Sequence, residues 1–382
     1  MRLFISAGEP SGDLHGANLV RALRTLRPDV ECCGFGGERL AAAGCRLLYP
    51  LVDHAVVGLL RVVKSVPEFA AILRRADRFF RQEKPNALVI IDFPGFHWWL
   101  AKRARQHRIP VIYFVPPQLW AWGAWRVKKM RERVDRVLCA LPFEEPWFRE
   151  RGVPAEYVGH PYFDELRQQR LDAAFLAGQR DRPGRVIALL PGSRNSEIGN
   201  NLDSLLRAAA LVHERKPDTR FLVACLHEQH RQRVQERLDG RILPVEAHAG
   251  RTPEIIELAH SCVAVSGSVG LELLYRAKPS VVTYREHWAS LLIARVVMQC
   301  RYISLVNLLA DREIYPEFLS PGCEAEGMAR HVVRWLTDDG EHRRVSGELM
   351  ALRDRIAEPG ACQRAARSVL QMLGVTQKTL AA

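Results

Sequence analysis

Met1-Arg2-Leu3-Phe4-Ile5-Ser6-Ala7-Gly8-Glu9-Pro10-Ser11-Gly12-Asp13-Leu14-His15-Gly16 opens the chain. A short apolar run, Arg2 to Ser6, ends in a glycine-containing turn, and helical periodicity then carries from Leu14 to Leu26. A second apolar run follows at Asp29 to Gly34. Strand, crossover helix and strand make the unit from which parallel sheets are built, so the fold class is α/β. The alternation continues outward. Further strands are read at Ala87 to Ile91, Pro110 to Val115, Arg136 to Leu141 and Glu156 to Val158, then at Arg185 to Leu190, Arg220 to Cys225, Cys262 to Val265 and Ser280 to Thr283. Helical spacing is clearest at Val66 to Gln82, Trp98 to Gln106, Leu202 to Arg215, Met328 to Leu336 and Ala365 to Leu373. Between Pro161 and Gly184 the chain turns polar and irregular, so a domain junction is expected there. Two doubly wound, Rossmann-like halves would then face one another across a cleft, with ligands at the carboxyl ends of their strands.

Composition excludes several classes. The 382 residues are 48% hydrophobic and 26% charged, ordinary for a globular chain, and no apolar run approaches the ~18 to 20 residues of a membrane span. The nine cysteines form no CxxC pair, which argues against a zinc ribbon or disulfide framework and fits a reducing cytoplasm. A formal net charge of +12 favours polyanions, acidic membrane surfaces or phosphorylated small molecules without choosing among them.

Four turns carry chemistry. Gly8 to Gly16, with Ser11, Gly12 and Asp13, lets a ligand approach a helix start; equally, Ser11 or Asp13 caps that helix. Asp92 ends the strand Ala87 to Ile91 before Phe93-Pro94-Gly95, where a parallel sheet places a catalytic base; a turn-capping role is the alternative. His97 is either a further base or a packed, hydrogen-bonded ring. Leu190-Pro191-Gly192-Ser193-Arg194 offers helix-start amides and a guanidinium to a diphosphate. Ser266-Gly267-Ser268-Val269-Gly270-Leu271-Glu272 is a second phosphate-compatible turn, in which Glu272 either accepts from ribose hydroxyls or caps the helix. Trp120, Trp122 and Trp125 lie beside Arg126, Lys128, Lys129, Arg131, Arg133 and Arg136, as for stacking on bases, gripping sugars or meeting a membrane, or simply as a solvated helix face. Cys225, His227 and His230 lack the spacing of a metal site, and no G-x-S-x-G hydrolase elbow is present.

Taken in order, these segments resemble the bacterial lipid-A-disaccharide synthase family. The carriers are Ala7-Gly8-Glu9 with Ser11-Gly12-Asp13 and Gly16; Ile91-Asp92 with Pro94; Trp120-Ala121-Trp122; Pro142-Phe143-Glu144; and Val158-Gly159-His160-Pro161. They continue with Leu190 to Arg194 plus Glu197-Ile198, Ser266-Gly267 with Leu271-Glu272, Ser304-Leu305 with Asn307, and Pro316-Glu317. The resemblance implies a GT-B fold with an acceptor-side domain at 1–166, a UDP-sugar domain at 184–355 and a final helix in 356–382 packing back on the first domain. It implies an inverting glycosyltransferase that joins UDP-2,3-diacylglucosamine to 2,3-diacylglucosamine 1-phosphate, with no cofactor and no metal.

In that reaction Asp92 is the expected base and Arg194 the charge stabiliser. Ser11, Gly12, Asp13, Gly16, His97 and Trp122 are expected on the acceptor side, and Gly192, Ser193, Ser266, Gly267, Ser268, Leu271, Glu272, Asn307 and Glu317 on the nucleotide side. The expected location is the cytoplasmic face of the inner membrane, held peripherally on its anionic surface, with no nucleic acid bound and a homodimer left open; the segment 55–82 reads either as an amphipathic stretch lying on that surface or as an ordinary helix buried on one face. Where the family usually continues its Asp motif as A-P-D-F-N, this chain has Phe93-Pro94-Gly95-Phe96-His97, without the second carboxylate and the Asn. Arg61 stands where Glu is usual and Ser320 where Gln is usual. Other readings are another UDP-sugar enzyme of the same architecture, such as a 2-epimerase or a transferase with a different lipid acceptor; a non-catalytic paralogue; and a nucleic-acid binder using the Trp-rich segment, which predicts steep salt dependence.

Overall fold

The structure, a computed structural model, describes residues 1–52, 62–240 and 242–375. Of the segment 55–82, residues 55–61 lie outside the described residues; the rest lies in the helix Val62–Glu83, which packs Ile72, Ala76, Phe79 and Phe80 into the core, as an ordinary helix buried on one face does. The first elements in chain order are β1 Arg2–Ala7, α1 Pro10–Leu26, β2 Glu31–Phe35, α2 Glu38–Ala42, β3 Arg46–Tyr49, α3 Val62–Glu83 and β4 Ala87–Ile91. They continue through α4 Pro94–Gln106, β5 Val111–Phe114, α5 Val127–Arg133, β6 Arg136–Cys139, α6 Glu144–Arg149, β7 Ala155–Tyr157 and α7 Pro161–Gln168. Their strands form one parallel sheet in the order β3-β2-β1-β4-β5-β6-β7.

β4 shows why these residues make a central strand. All five of its side chains are fully buried, with Leu88 and Ile90 in the core on one face of the sheet and Val89 and Ile91 in the core on the other. A strand covered on both faces needs apolar residues at every position, not at alternate ones.

Next come α8 Ala173–Arg180, β8 Arg185–Leu190, α9 Asn195–Arg215, β9 Thr219–Cys225, α10 Glu228–Leu238, β10 Val245–Ala249, α11 Thr252–Leu258 and β11 Ser261–Val265. After them lie α12 Val269–Tyr275, β12 Ser280–Arg285, α13 Trp288–Val297, α14 Leu305–Ala310, β13 Glu317–Ser320, α15 Ala325–Thr337, α16 Asp339–Ile356 and α17 Ala361–Met372. The second parallel sheet runs β10-β9-β8-β11-β12-β13.

The chain divides into two compact units, Met1–Glu165 with Glu358–Ala382, and Leu166–Ala357. Residues 166–183, read from sequence as irregular, include α8 and belong to the second unit. Asp172 caps α8 by accepting from the Phe175 amide at 3.0 Å, and its own amide donates to Glu254 at 2.9 Å. In the first unit α17 packs along α1 through Cys362, Ala365, Ala366, Val369 and Leu370, in one core with Leu19 and Leu23. Its start is tied by Asp164, which accepts from the amides of Gly360 at 2.6 Å and Cys362 at 3.1 Å.

Strand order reverses between β1 and β4 in one sheet and between β8 and β11 in the other. The loops leaving those four strands splay apart there, which is where open parallel sheets hold ligands.

Candidate functional site

Each unit offers a site at its own reversal point. In the first, Ile91 leads into Asp92 and Phe93, both in the left-handed region with φ of +50° and +49°. Neither is glycine, and each such residue costs on the order of 1–3 kcal/mol that its surroundings must offset. Three contacts do so. The Asp92 carbonyl accepts from the Tyr113 hydroxyl at 2.8 Å and from His97 Nδ1 at 2.6 Å. The Phe93 ring lies where a side chain on Gly8 would sit, which accounts for glycine in the turn after β1. Burial raises the proton affinity of the Asp92 carboxyl above the ordinary aspartate value, partly countered by the Phe93 amide and by His15.

The neighbours of Asp92 sort into open and closed positions. Ser11 is exposed at the start of α1. Gly12 lets that helix approach the Ile91 carbonyl, while Gly16 packs on Ile91 and Leu40 in the core. Two acceptor-side expectations need correction. His97 is fully buried, a packed and hydrogen-bonded ring rather than an open one. Asp13, 3% exposed, caps a different helix from the one it starts: its carboxylate accepts from the amides of Gly37 at 2.7 Å, Arg39 at 3.1 Å and Leu40 at 3.3 Å around the start of α2. Asp13→Ala is therefore expected to cost about 1–2 kcal/mol of stability as a lost cap. A thermal melt unchanged from the parent would refute the capping role.

The Trp motif splits in two. Trp120 is buried, and its indole N–H donates to Glu144 at 3.0 Å. The same carboxylate accepts from the amides of Ala140 and Leu141, each at 3.0 Å, and burial pushes its pKa up to about 7. Trp122 is 55% exposed, with the Arg126 guanidinium 5.7 Å from its ring.

In the second unit β8 leads into Gly192, whose φ of +105° and 2.6 Å approach to Glu197 from an added Cβ exclude other residues. Ser193 and Arg194 are exposed, but their amides are not open to a diphosphate as the sequence suggested. Glu197 Oε2 accepts from Ser193 N at 2.9 Å and Arg194 N at 3.1 Å, and Glu197 Oε1 accepts from the Arg194 guanidinium at 2.7 Å. A residue one turn into α9 reaches back to the helix start, which the spacing Arg194 to Glu197 allows. The Arg194 side chain stays 74% exposed.

The turn after β11 is open at Gly267 and Ser268, and Ser266 ties it to the next loop by donating to the Ile303 carbonyl at 2.7 Å. Leu271 is fully buried in the core and Glu272 is 3% exposed, so neither lines an open surface as expected. Glu272 accepts from Arg276 Nε at 3.2 Å; Arg276 in turn donates to Glu257 at 2.9 Å and Gln169 at 2.7 Å.

Asn307, expected on the nucleotide side, is likewise fully buried. Its amide donates to Tyr315 O at 2.8 Å and Glu317 at 2.7 Å, and its oxygen accepts from the amides of Ile314 at 2.8 Å and Tyr315 at 2.9 Å. That uses the full capacity of the group. Glu317 also accepts from the amides of Ile303 at 2.8 Å and Ser304 at 2.9 Å. The pair builds the loop beside Ser266. Among the described residues no His, Cys, Asp and Glu cluster could hold a metal ion.

Sequence reading passed over Ser6, Tyr113 and Arg276. The signal for the first two was a hydroxyl inside an otherwise apolar strand, since a buried hydroxyl needs a partner. Nothing local marked Arg276.

Comparison with known proteins bears on both units. The family described as lipid-A-disaccharide synthetase matches residues 3–370. A lipid-A-disaccharide synthase of Myxococcus xanthus is 36% identical over 376 residues, 97% of each chain, and one of Geobacter sulfurreducens is 32% identical over 386 residues, 98% of this chain and 97% of the relative. The Staphylococcus aureus MnaA-UDP co-structure is similar at a TM-score of 0.71 and 11% identity, over 98% of this chain and 97% of that one. A Neisseria meningitidis UDP-GlcNAc 2-epimerase bound to UDP-GlcNAc gives 0.64 and 12%, over 98% and 100%. At such identities the likeness speaks for the fold alone: two Rossmann-like domains of GT-B type.

Proposed function

The chain belongs to the lipid-A-disaccharide synthetase family and is a hexosyltransferase of lipid A disaccharide synthesis; on that footing we propose that it joins UDP-2,3-diacylglucosamine to 2,3-diacylglucosamine 1-phosphate. The products are the β-1,6-linked disaccharide 1-phosphate and UDP. One observation carries the reading: Asp92 stands at the carboxyl end of β4, beside the order reversal, with its proton affinity raised by burial.

Asp92 takes the proton of the acceptor's 6-hydroxyl as that oxygen bonds to the donor's anomeric carbon from the face opposite the nucleotide. The bond from that carbon to the diphosphate oxygen breaks, and the charge gathering on the diphosphate is balanced by the Arg194 guanidinium. Ser266, Gly267 and Ser268 form the nucleotide-facing turn. Glu272 with Arg276 supports it from within, and Asn307 with Glu317 fixes the adjoining loop. Ser11, Gly12 and Trp122 serve the acceptor side.

Both substrates are lipids, so the reaction belongs at a lipid surface, toward which a net charge of +12 draws the chain when that surface is anionic. No described helix is long and apolar enough to cross a membrane. The test is product analysis of purified protein with both lipid substrates, in neutral and in anionic vesicles. The expected result is disaccharide and UDP in equal amounts, faster on the anionic surface. An epimerised UDP-sugar formed without acceptor would overturn the transferase reading, and equal rates on the two surfaces would overturn the surface preference.

A further inference from the structure

We propose that His97 is a positioning residue for the transfer step: with Ser6 and Tyr113 it fixes the Asp92 backbone in its left-handed conformation, and so sets where the Asp92 carboxylate stands. The proposal rests on Asp92 being the base.

The chemistry of the hydrogen bonds is settled by what each partner can do. The Asp92 carbonyl can only accept, so His97 Nδ1, 2.6 Å away, carries the proton and donates it. Complete burial holds the ring neutral, pushing its pKa down to about 4, so Nε2 keeps its lone pair. Ser6 Oγ, 2.9 Å from Nε2, is then the donor on that side. The resulting chain runs from the Ser6 hydroxyl through the neutral imidazole to the Asp92 carbonyl, and the Tyr113 hydroxyl makes a second bond to the same oxygen at 2.8 Å. Ser6 lies on β1, His97 on α4 and Tyr113 on β5. Three elements therefore converge on one backbone oxygen.

This gives a physical reason for the local departure from the family pattern. At this position the resemblance expects Asn. A carboxamide and a neutral imidazole share one property that matters here: a donor N–H and an acceptor lone pair facing different ways on a planar group. Replacing Asn by His can keep both bonds while filling more of the space between Phe93, Phe96 and Tyr113, whose rings lie 5.9, 5.9 and 6.4 Å from the imidazole. Misplacing a reacting group by about an ångström can cost on the order of 100-fold. A residue that touches no substrate can thus control the rate.

The experiment compares His97→Leu, His97→Asn and Asp92→Asn with the parent by steady-state kinetics on both substrates, with a thermal melt of each variant. His97→Leu is expected to lower kcat by about 10- to 100-fold with KM for the UDP-sugar changed by no more than about twofold. His97→Asn is expected to return kcat to within about threefold of the parent, which a mere space-filling role would not predict. If His97→Leu fails to fold, Tyr113→Phe takes its place, removing one donor to the same carbonyl with little change of volume. Parental kcat in that variant or in His97→Leu overturns the proposal, as does equal impairment of the Leu and Asn variants. Turnover persisting in Asp92→Asn would instead show that the base is misassigned. Loss in Asp92→Asn with parental turnover in His97→Leu would leave the base standing and remove the positioning role alone.

Discussion

Asp92→Ala is expected to reduce kcat by at least ~100-fold, the scale of a lost general base. Binding of UDP, read as protection against thermal unfolding, should survive, because the open turns proposed for the nucleotide lie in the other unit. Turnover near the parental rate would end the assignment. Asp92→Asn isolates the chemistry further, since Asn tolerates a positive φ at least as well as Asp and keeps the side chain's shape.

The pH dependence follows from the direction of the shift. Burial makes the Asp92 carboxyl hold its proton more tightly in the folded chain than in the unfolded one. The acidic limb of the kcat profile should therefore lie above the ordinary aspartate range, with activity lost as pH falls through it. Stability runs the other way. Ionising a group whose folded pKa is raised costs stability, a cost that appears as pH rises through that value and is absent below the unfolded one. Asp92→Asn should consequently be inactive yet melt no lower than the parent at neutral pH. A lower melt would show that the charge helps the fold.

Arg194→Ala is expected to cost at least ~100-fold in turnover, the scale reported by removing a key stabiliser of developing charge. The fold should hardly notice. The Arg194 side chain is 74% exposed and pairs with Glu197 at the surface of a helix start, and such a pair contributes about 0–1 kcal/mol. Glu197 retains the Ser193 and Arg194 amides after the truncation, so the turn keeps its shape. Arg194→Lys should recover part of the loss, because a point charge replaces the guanidinium without its planar fork. Parental turnover in Arg194→Ala would mean that the diphosphate is neutralised elsewhere.

How much of this was written locally depends on what each residue contacts. The inner strands β1, β4, β8 and β11 were legible because burial on both faces makes them almost wholly apolar runs. The edge strands β3 and β10, and the short β13, were not. They are half-covered and carry Arg46, Glu246, His248 and Glu317, so their composition matches that of loops. α16 was also passed over. It buries only Val345, Leu349, Leu352 and Ile356 in 18 residues, and the charges between them hide the spacing.

The sequence alone determined the alternation of strand and helix, and with it the ends at which Asp92, Gly192 to Arg194 and Ser266 to Ser268 emerge, because strand, turn and helix preferences act over a few neighbouring residues. Tertiary structure alone decided how the polar groups there are employed. Asp13 serves a helix 24 residues onward, His97 meets a serine 91 positions away, and Asn307 is consumed in building its own loop. A buried donor or acceptor must be matched by whichever group the fold brings within about 3 Å, and that partner is chosen by packing over long chain separations, which no local pattern encodes.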